Sequence, residues 1–340
     1  MVCWTNWHNA NVWLRSEGNV NHKGDTVAKT GREFEIIQQY FRQGFLPGRD
    51  VSVDIGDDAS VICQSYFQGY DWVQSIDTQV ADIHFPSNAP ADRIACRALR
   101  CAVSDLIAMG ATPHSFHLAI TLPEANAEWL KAFSRGLSAT AKQFKIALIG
   151  GDTTRGEALI ITLAVQGRVP AGKAITRSGA RAEDDVWISG SVGAAACALE
   201  KVLRDPSCKS VEADAYYYPS IDTVLGQSLI GTATACIDIS DGLIQDALHI
   251  AQNSNLSMVL LSERIPTHKS IDDENWLLCL TGGDDYRLLF TAPHGERPNL
   301  DKIPAIRRIG YMIEDKPDVI ILKDHQPMSL DIKETGYQHF

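Results

Sequence analysis

The stretch "GRVPAGKAITRSGARAEDD", residues 167–185, can be read in two ways, and the choice between them organises the whole chain. Its first eight residues match the G-x4-G-K pattern of a phosphate-cradling loop. That chemistry fails in two places. Ala174 stands where a Ser or Thr hydroxyl must ligate magnesium, and Pro170 removes an N–H from the supposed phosphate nest. The residues that follow are also a poor helix. The second reading is a Gly-, Pro- and charge-rich break between two domains. It divides the chain into residues 31–168 and 169–340, after an N-terminal extension over 1–30 that is polar, Trp-spotted and expected to be poorly ordered.

Before the break, "TGRE" reads as a capping box with Thr30 and Glu33 as its reciprocal partners, and Phe34, Ile37 and Phe41 form the apolar stripe of the helix it starts. Short strands are expected at 60–63 and 71–76. A long helix is expected over 91–109, with Pro90 near its start and Gly110 as its stop. Then come a strand at 115–121, a helix at 124–143, and strands at 146–149 and 159–165. After the break, strands are expected at 186–189, 235–239, 258–261, 286–291, 307–311 and 319–322, with helices at 194–203 and 242–252. The order lacks the regular alternation of a doubly wound sheet, so the fold class is α+β.

The 340 residues are 45% hydrophobic and carry a formal charge of -11, enough for a sizeable core but without the basic stripe that nucleic acid or an anionic membrane requires. No apolar run approaches the roughly 20 residues that span a bilayer. The first 24 residues lack the charged and apolar regions of a signal peptide. The eight cysteines show no CxxC spacing and mostly lie in apolar runs, as reduced thiols of a cytoplasmic protein do.

Against this background the chain collects aspartates beside glycines: "VDIGDDA" (53–59), Asp77, Asp152 in "GGDTT", Asp238 and Asp241 in "DISDG", and Asp284 and Asp285 in "GGDD". One such pair is ordinary turn chemistry, since Asp bonds its own backbone. Several of them, each following an apolar strand-like run, point instead to oxygen ligands for magnesium and phosphate. Asp105 is the sharpest case. It continues the apolar, small-residue stripe Ile94, Ala98, Cys101 of the long helix, where an unpaired carboxylate costs several kcal/mol. A cation is expected beside it, because Arg97 and Arg100 fall elsewhere on the helical wheel.

Taken in order, "GREFEIIQQYFR", "IGDDAS", "SIDTQVADIHF", "CAVSDLIAMGATP", "LIGGDTTRG", "ITRSGA", "IDISDGLIQD", "TGGDDYRLLF" and the terminal "GYQHF" resemble the thiamine-monophosphate kinases. That family has the PurM-like fold of aminoimidazole-ribonucleotide synthetase. The resemblance implies two α+β domains, the N-terminal mixed sheet pairing with a second copy as a dimer β-barrel and the C-terminal domain an α/β sandwich. It implies transfer of the γ-phosphoryl of ATP to thiamine monophosphate in the presence of several Mg²⁺ ions, with no phosphoenzyme. Carried over by position, Asp58, Ser75, Ile76, Asp77, Asp105, Asp152, Asp238 and Asp241 would hold metal. Gly151, Asp152, Arg177 and Ser240 would meet ATP, and His84, Asp284 and Tyr337 would hold the thiamine phosphate. Three positions depart from the family pattern: Ile76 where Thr is usual, Asp284 where Glu is usual, and Arg287 where Glu is typical. The aspartates alone also suit another PurM-like ATP-dependent synthetase or an inactive magnesium–nucleotide-binding paralogue.

Overall fold

A computed structural model describes residues 36–41, 44–45, 48, 51–53, 61–62, 67–269, 271 and 276–328. The expected extension over 1–30, the capping box at Thr30 and Glu33, Asp58 and Tyr337 lie outside these residues. A helical turn at Ile37–Phe41 comes first, followed by a short pair, β1 (Val51–Val53) and β2 (Val61–Ile62). The pair is followed by β3 (Tyr70–Val80), α1 (Ala91–Ala108), β4 (Thr112–Leu122), α2 (Ala127–Phe144), β5 (Ala147–Arg155) and β6 (Ile160–Pro170). These strands form a four-stranded mixed sheet in the order β3-β6-β4-β5, antiparallel except for the β4–β5 pair. That parallel pair needs a crossover, and α2 supplies it.

The second half contains β7 (Asp185–Ile188), α3 (Ala194–Arg204), α4 (Val211–Tyr217), α5 (Thr223–Ser228), β8 (Ala235–Asp238), α6 (Leu243–Ser254) and β9 (Ser257–Leu261). It continues with α7 (Trp276–Thr281), β10 (Leu288–Ala292), α8 (Arg297–Leu300), β11 (Arg307–Ile313), β12 (Val319–Lys323) and β13 (Gln326–Pro327). Its seven-stranded sheet runs β13-β12-β9-β11-β7-β10-β8, and only β12–β9 is parallel. Two mixed sheets with segregated helices make the chain α+β.

Side chains alternate across each strand, and the seven-stranded sheet uses both faces. Trp187, Cys236, Leu288 and Phe290 pack into one core with α1 and the four-stranded sheet. Their neighbours Val186, Ile188, Ile237 and Leu289 point the other way, into a second core beneath Leu243, Ala247 and Ile250 of α6. Helix α1 thus lies between the two sheets, against β3 and β6 on one side and β8 on the other. Ile94, Leu99, Val103, Leu106 and Ile107 on it are each at most 1% exposed, and burying each such side chain contributes about 1.5–3 kcal/mol. This explains why so many alanines and cysteines occupy the helix: large side chains all round would hold the sheets apart.

The stretch 167–185 is only partly a break. Residues 167–170 complete β6, paired to β3 as far as Tyr70 and Pro170, and the irregular segment begins at Ala171. Pro170 is tolerated because it ends the strand. Other boundaries moved as well, β3 running on from the expected 71–76 to Val80 among them. The helix expected from 124 starts at Ala127, where the Asn126 side chain accepts the Trp129 N–H at 3.0 Å. The strand expected at 146–149 runs on through "GGDTTR" to Arg155.

Candidate active site

The pleat of β3 sends Ser75 and Asp77 towards α1 and leaves Ile76 between them on the opposite face, 68% exposed. At the level of Ser75, one turn from the end of α1, Asp105 meets the strand, and the Ser75 hydroxyl donates to its Oδ2 at 2.6 Å. The last residue of β8, Asp238, reaches the same place from the other sheet. Ser75, Asp105, Asp238 and Arg177 line one cleft of about 410 Å³, whose apolar wall includes Val73, Leu106, Met109 and Ile175. Asp77 is the next inward residue along β3 from Ser75.

These carboxylates are short of positive charge. Burial raises the Asp105 carboxyl above its ordinary range, against the Ser75 hydrogen bond and the charge of Arg177. Asp77 is raised by burial and then by Asp105, with Arg97 opposing. Asp238, 3% exposed, is pushed up to about 7 by burial and by Asp105. Arg177 is itself exposed, at the rim, so its guanidinium offsets only part of the cluster's charge.

Beyond β8 the chain turns through Ser240, Asp241 and Gly242 into α6. Asp246, in the first turn of that helix, accepts the backbone N–H groups of Ser240, Asp241 and Gly242 at 3.0, 3.1 and 3.2 Å. Burial, then Asp238 and Asp241, push the Asp246 carboxyl up to about 8. Ligating atoms of Asp241, Asp246 and His249 lie within 4.8 Å of one another. Asp246 and His249 were not singled out in the sequence; the available signal was a carboxylate in the first turn after a glycine turn, reaching back to the N–H groups before it.

A second constellation lies behind the first. His84, in the turn after β3, accepts the Val80 N–H on Nδ1 at 3.0 Å. The Tyr216 hydroxyl donates to the His84 carbonyl at 2.6 Å. Arg97, on α1, donates to the Tyr216 carbonyl at 2.9 Å and to Asp284 at 2.5 Å. So Arg97 does have an acidic partner, but it is Asp284 and not Asp105.

Asp152 and Gly151 do not join either group within one chain. They lie on β5, the far edge of the four-stranded sheet from β3, three strand spacings or roughly 14 Å across the sheet. Asp152 pairs with Ala119, which pairs with Thr162 and so with Thr78, all on the open face that carries Ile76. At Gly151 any side chain is excluded, since a Cβ would lie 1.9 Å from the Leu118 carbonyl oxygen. Asp77 and Asp152 are therefore mid-strand residues and Asp284 follows helix α7, so of these four only Asp238 ends a strand as the sequence pattern suggested.

Two mixed sheets meeting at a carboxylate-lined cleft make the fold PurM-like, and the family model described as "AIR synthase related protein, N-terminal domain" matches residues 56–169. The thiamine-monophosphate kinase of Salmonella typhimurium is 38% identical over 91% of this chain and 98% of its own length. The crystal structure of thiamine-monophosphate kinase from Stenotrophomonas maltophilia K279a superposes with a TM-score of 0.76 at 32% identity, covering 87% of this chain and 96% of that one. AaThiL complexed with AMPPCP and TMP superposes with a TM-score of 0.72 at 25% identity, covering 80% and 88%. The chain belongs to the thiamine-monophosphate kinase family, and its fold is PurM-like.

Proposed function

We propose that this chain transfers the γ-phosphoryl group of ATP to the phosphate of thiamine monophosphate, yielding ADP and thiamine diphosphate. The observation that carries the reading is the cleft in which Ser75, Asp105 and Asp238 converge with Arg177 at the rim. Donor and acceptor are both anionic phosphates, so an acidic cleft works only with cations in it. The donor set suits Mg²⁺: carboxylates and a hydroxyl, all hard oxygens, with burial raising the carboxyl pKa values and Asp105 raising those of Asp77 and Asp238 further. Ser75, Asp77, Asp105, Asp238 and Asp241 would hold such ions, with Asp58, Asp152 and the backbone of Ile76 completing the set. Bound there, Mg²⁺ would neutralise charge on the phosphates of donor and acceptor.

The remaining residues bind and orient. Arg177 grips ATP phosphate oxygens through its planar fork, Ser240 adds a hydroxyl, and Gly151 with Asp152 leaves bare backbone beside the nucleotide. His84, Asp284 and Tyr337 hold the thiamine phosphate, Tyr337 offering an aromatic face to the cationic thiazolium. AaThiL complexed with AMPPCP and TMP supports this pairing of a nucleotide with a second phosphate ligand. Transfer is direct, with no phosphoenzyme. The division into 31–168 and 169–340 gives the first domain the β1–β2 pair and the four-stranded sheet up to the last two residues of β6, and the second domain the seven-stranded sheet.

The chain works as a homodimer in this reading. The exposed Ile76 face of the four-stranded sheet, which also carries Asp152, supports pairing with a second copy into a β-barrel. A cytoplasmic setting suits the six free thiols among the described residues, and no helix among those residues is long and apolar enough to cross a membrane. The test is a coupled assay of ADP release with Mg-ATP and thiamine monophosphate, run beside formylglycinamidine ribonucleotide as rival acceptor. Turnover with the first alone supports the kinase; turnover with the second alone, or with neither, overturns it.

A further inference from the structure

Arg97 is a cation in the middle of the most buried helix, with a side chain only 4% exposed. An apolar residue of similar size usually serves packing as well or better there, so its retention calls for a role. Its contacts are specific. One arm of the guanidinium ends on Asp284 at 2.5 Å and another on the Tyr216 carbonyl at 2.9 Å, while the Tyr216 ring lies face-on at 4.0 Å. From Tyr216 the chain of contacts continues through its hydroxyl to the His84 carbonyl at 2.6 Å. Thus α1 and α4 tie the turn after β3 to the turn before β10, although those turns are 200 positions apart in sequence.

The second turn is under strain, which marks it independently. Asp284 and Tyr286 both have left-handed backbones, with φ of 69° and 49°, a conformation that costs non-glycine residues of order 1–3 kcal/mol. Gly283, just before them, admits no side chain because a Cβ would lie 2.1 Å from the Ser240 carbonyl oxygen. The Asp284 N–H donates to that same carbonyl at 2.9 Å, and the Tyr286 hydroxyl donates to Asp284 Oδ1 at 3.3 Å. The strained turn is held from the Ser240 side by backbone contacts and from the other side by Arg97.

We infer that Arg97 and Tyr216 are positioning residues for the acceptor phosphate compound, fixing His84 and Asp284 relative to each other and to the Ser240 turn. The inference rests on the reading of His84 and Asp284 as residues that hold thiamine monophosphate. Arg97 and Tyr216 touch these two residues and act through them. With the Arg97 fork lost, Asp284 would leave its strained turn; with the Tyr216 hydroxyl lost, the His84 turn would drift while the ATP side stayed intact.

The test is steady-state kinetics on the full chain, at concentrations set by active-site titration, with each substrate varied in turn. Y216F should raise the KM for thiamine monophosphate about fivefold, the loss of one ordinary hydrogen bond. R97K, which keeps charge but not the fork, should raise it about tenfold. The KM for ATP should stay within about twofold in both, because Arg177 is untouched and Asp246 holds the Ser240 turn independently of Asp284. H84A and D284N should raise the same KM directly, and Y216F should add less than twofold to H84A if it acts through that turn. Unchanged thiamine monophosphate KM values in Y216F and R97K, beside raised values in H84A and D284N, would overturn the positioning role while leaving the substrate site. A drop in melting temperature or kcat without a KM change in Y216F and R97K would overturn it too, as plain structural support. Unchanged values in H84A and D284N would overturn the site reading itself.

Discussion

Replacing Asp238 with asparagine isolates the electrostatic strain of the metal-free cleft. Asp238 is 3% exposed, and burial together with Asp105 pushes its carboxyl from 3.8 up to about 7. Because the folded-state pKa lies above the unfolded one, the folded chain binds more protons between those two values. Its stability therefore falls as pH rises through that window and levels off above it. A shift of about three pKa units caps the effect at about 4 kcal/mol, and relaxation around the site lowers it to about 2–4 kcal/mol. Unfolding entropy for a chain of this length converts 1 kcal/mol into roughly 1.4 °C, so the expected change is about 3–6 °C. Thermal unfolding in EDTA at pH 8 should show D238N melting about 3–6 °C above the unsubstituted chain, and the gap should narrow to about 1–2 °C at pH 5. Adding Mg²⁺ at pH 8 should reverse the order, since only the unsubstituted chain keeps the full ligand set. A D238N chain that melts lower in EDTA at pH 8, or a gap that is the same at both pH values, would refute the reasoning.

Asp77→Asn or Asp105→Asn should leave the chain folded and lower turnover at least about a hundredfold at saturating Mg²⁺, and near-normal rates in both would contradict the metal-cage reading. Arg177→Lys should raise the KM for ATP about tenfold with little change for thiamine monophosphate, whereas an exposed arginine with no ligand would leave both constants alone. Tyr337→Ala should raise the KM for thiamine monophosphate several-fold and Tyr337→Phe should do so much less, and deleting residues 336–340 with no change would show that the tail does not meet the substrate.

The helix over 91–108 was legible because its Pro start, Gly stop and apolar stripe agree, and the strands of the second half because their apolar runs are short and bounded by turn residues. Elements at 211–217, 223–228 and 276–281 were not seen. At six or seven residues they carry less than two turns of periodicity, and packing against α1 and α3 decides them. The continuation of β5 through Gly150 and Gly151 was hidden for a different reason. Glycines usually weaken a strand, and here a close approach to β4 requires one. At the site, the apolar stripe of α1 was enough to turn Asp105 towards the core, whereas Ser75 entered only through the family resemblance and its contact with Asp105 only through the fold. The partner of Arg97 was not readable, because Asp284 lies 187 positions away and only the tertiary fold brings it under the helix. Helical periodicity separates Arg97 from Asp105 on α1 but does not fix what Arg97 meets.

The central claim is direct transfer between two phosphates, and phosphorus NMR of the reaction tests it most plainly. With Mg-ATP and thiamine monophosphate, the account predicts that the β- and α-phosphorus signals of thiamine diphosphate grow in step with ADP, one for one. It also predicts that no free phosphate accumulates, and that EDTA abolishes both signals. ADP and inorganic phosphate forming without thiamine diphosphate, or thiamine diphosphate forming undiminished in EDTA, would contradict it.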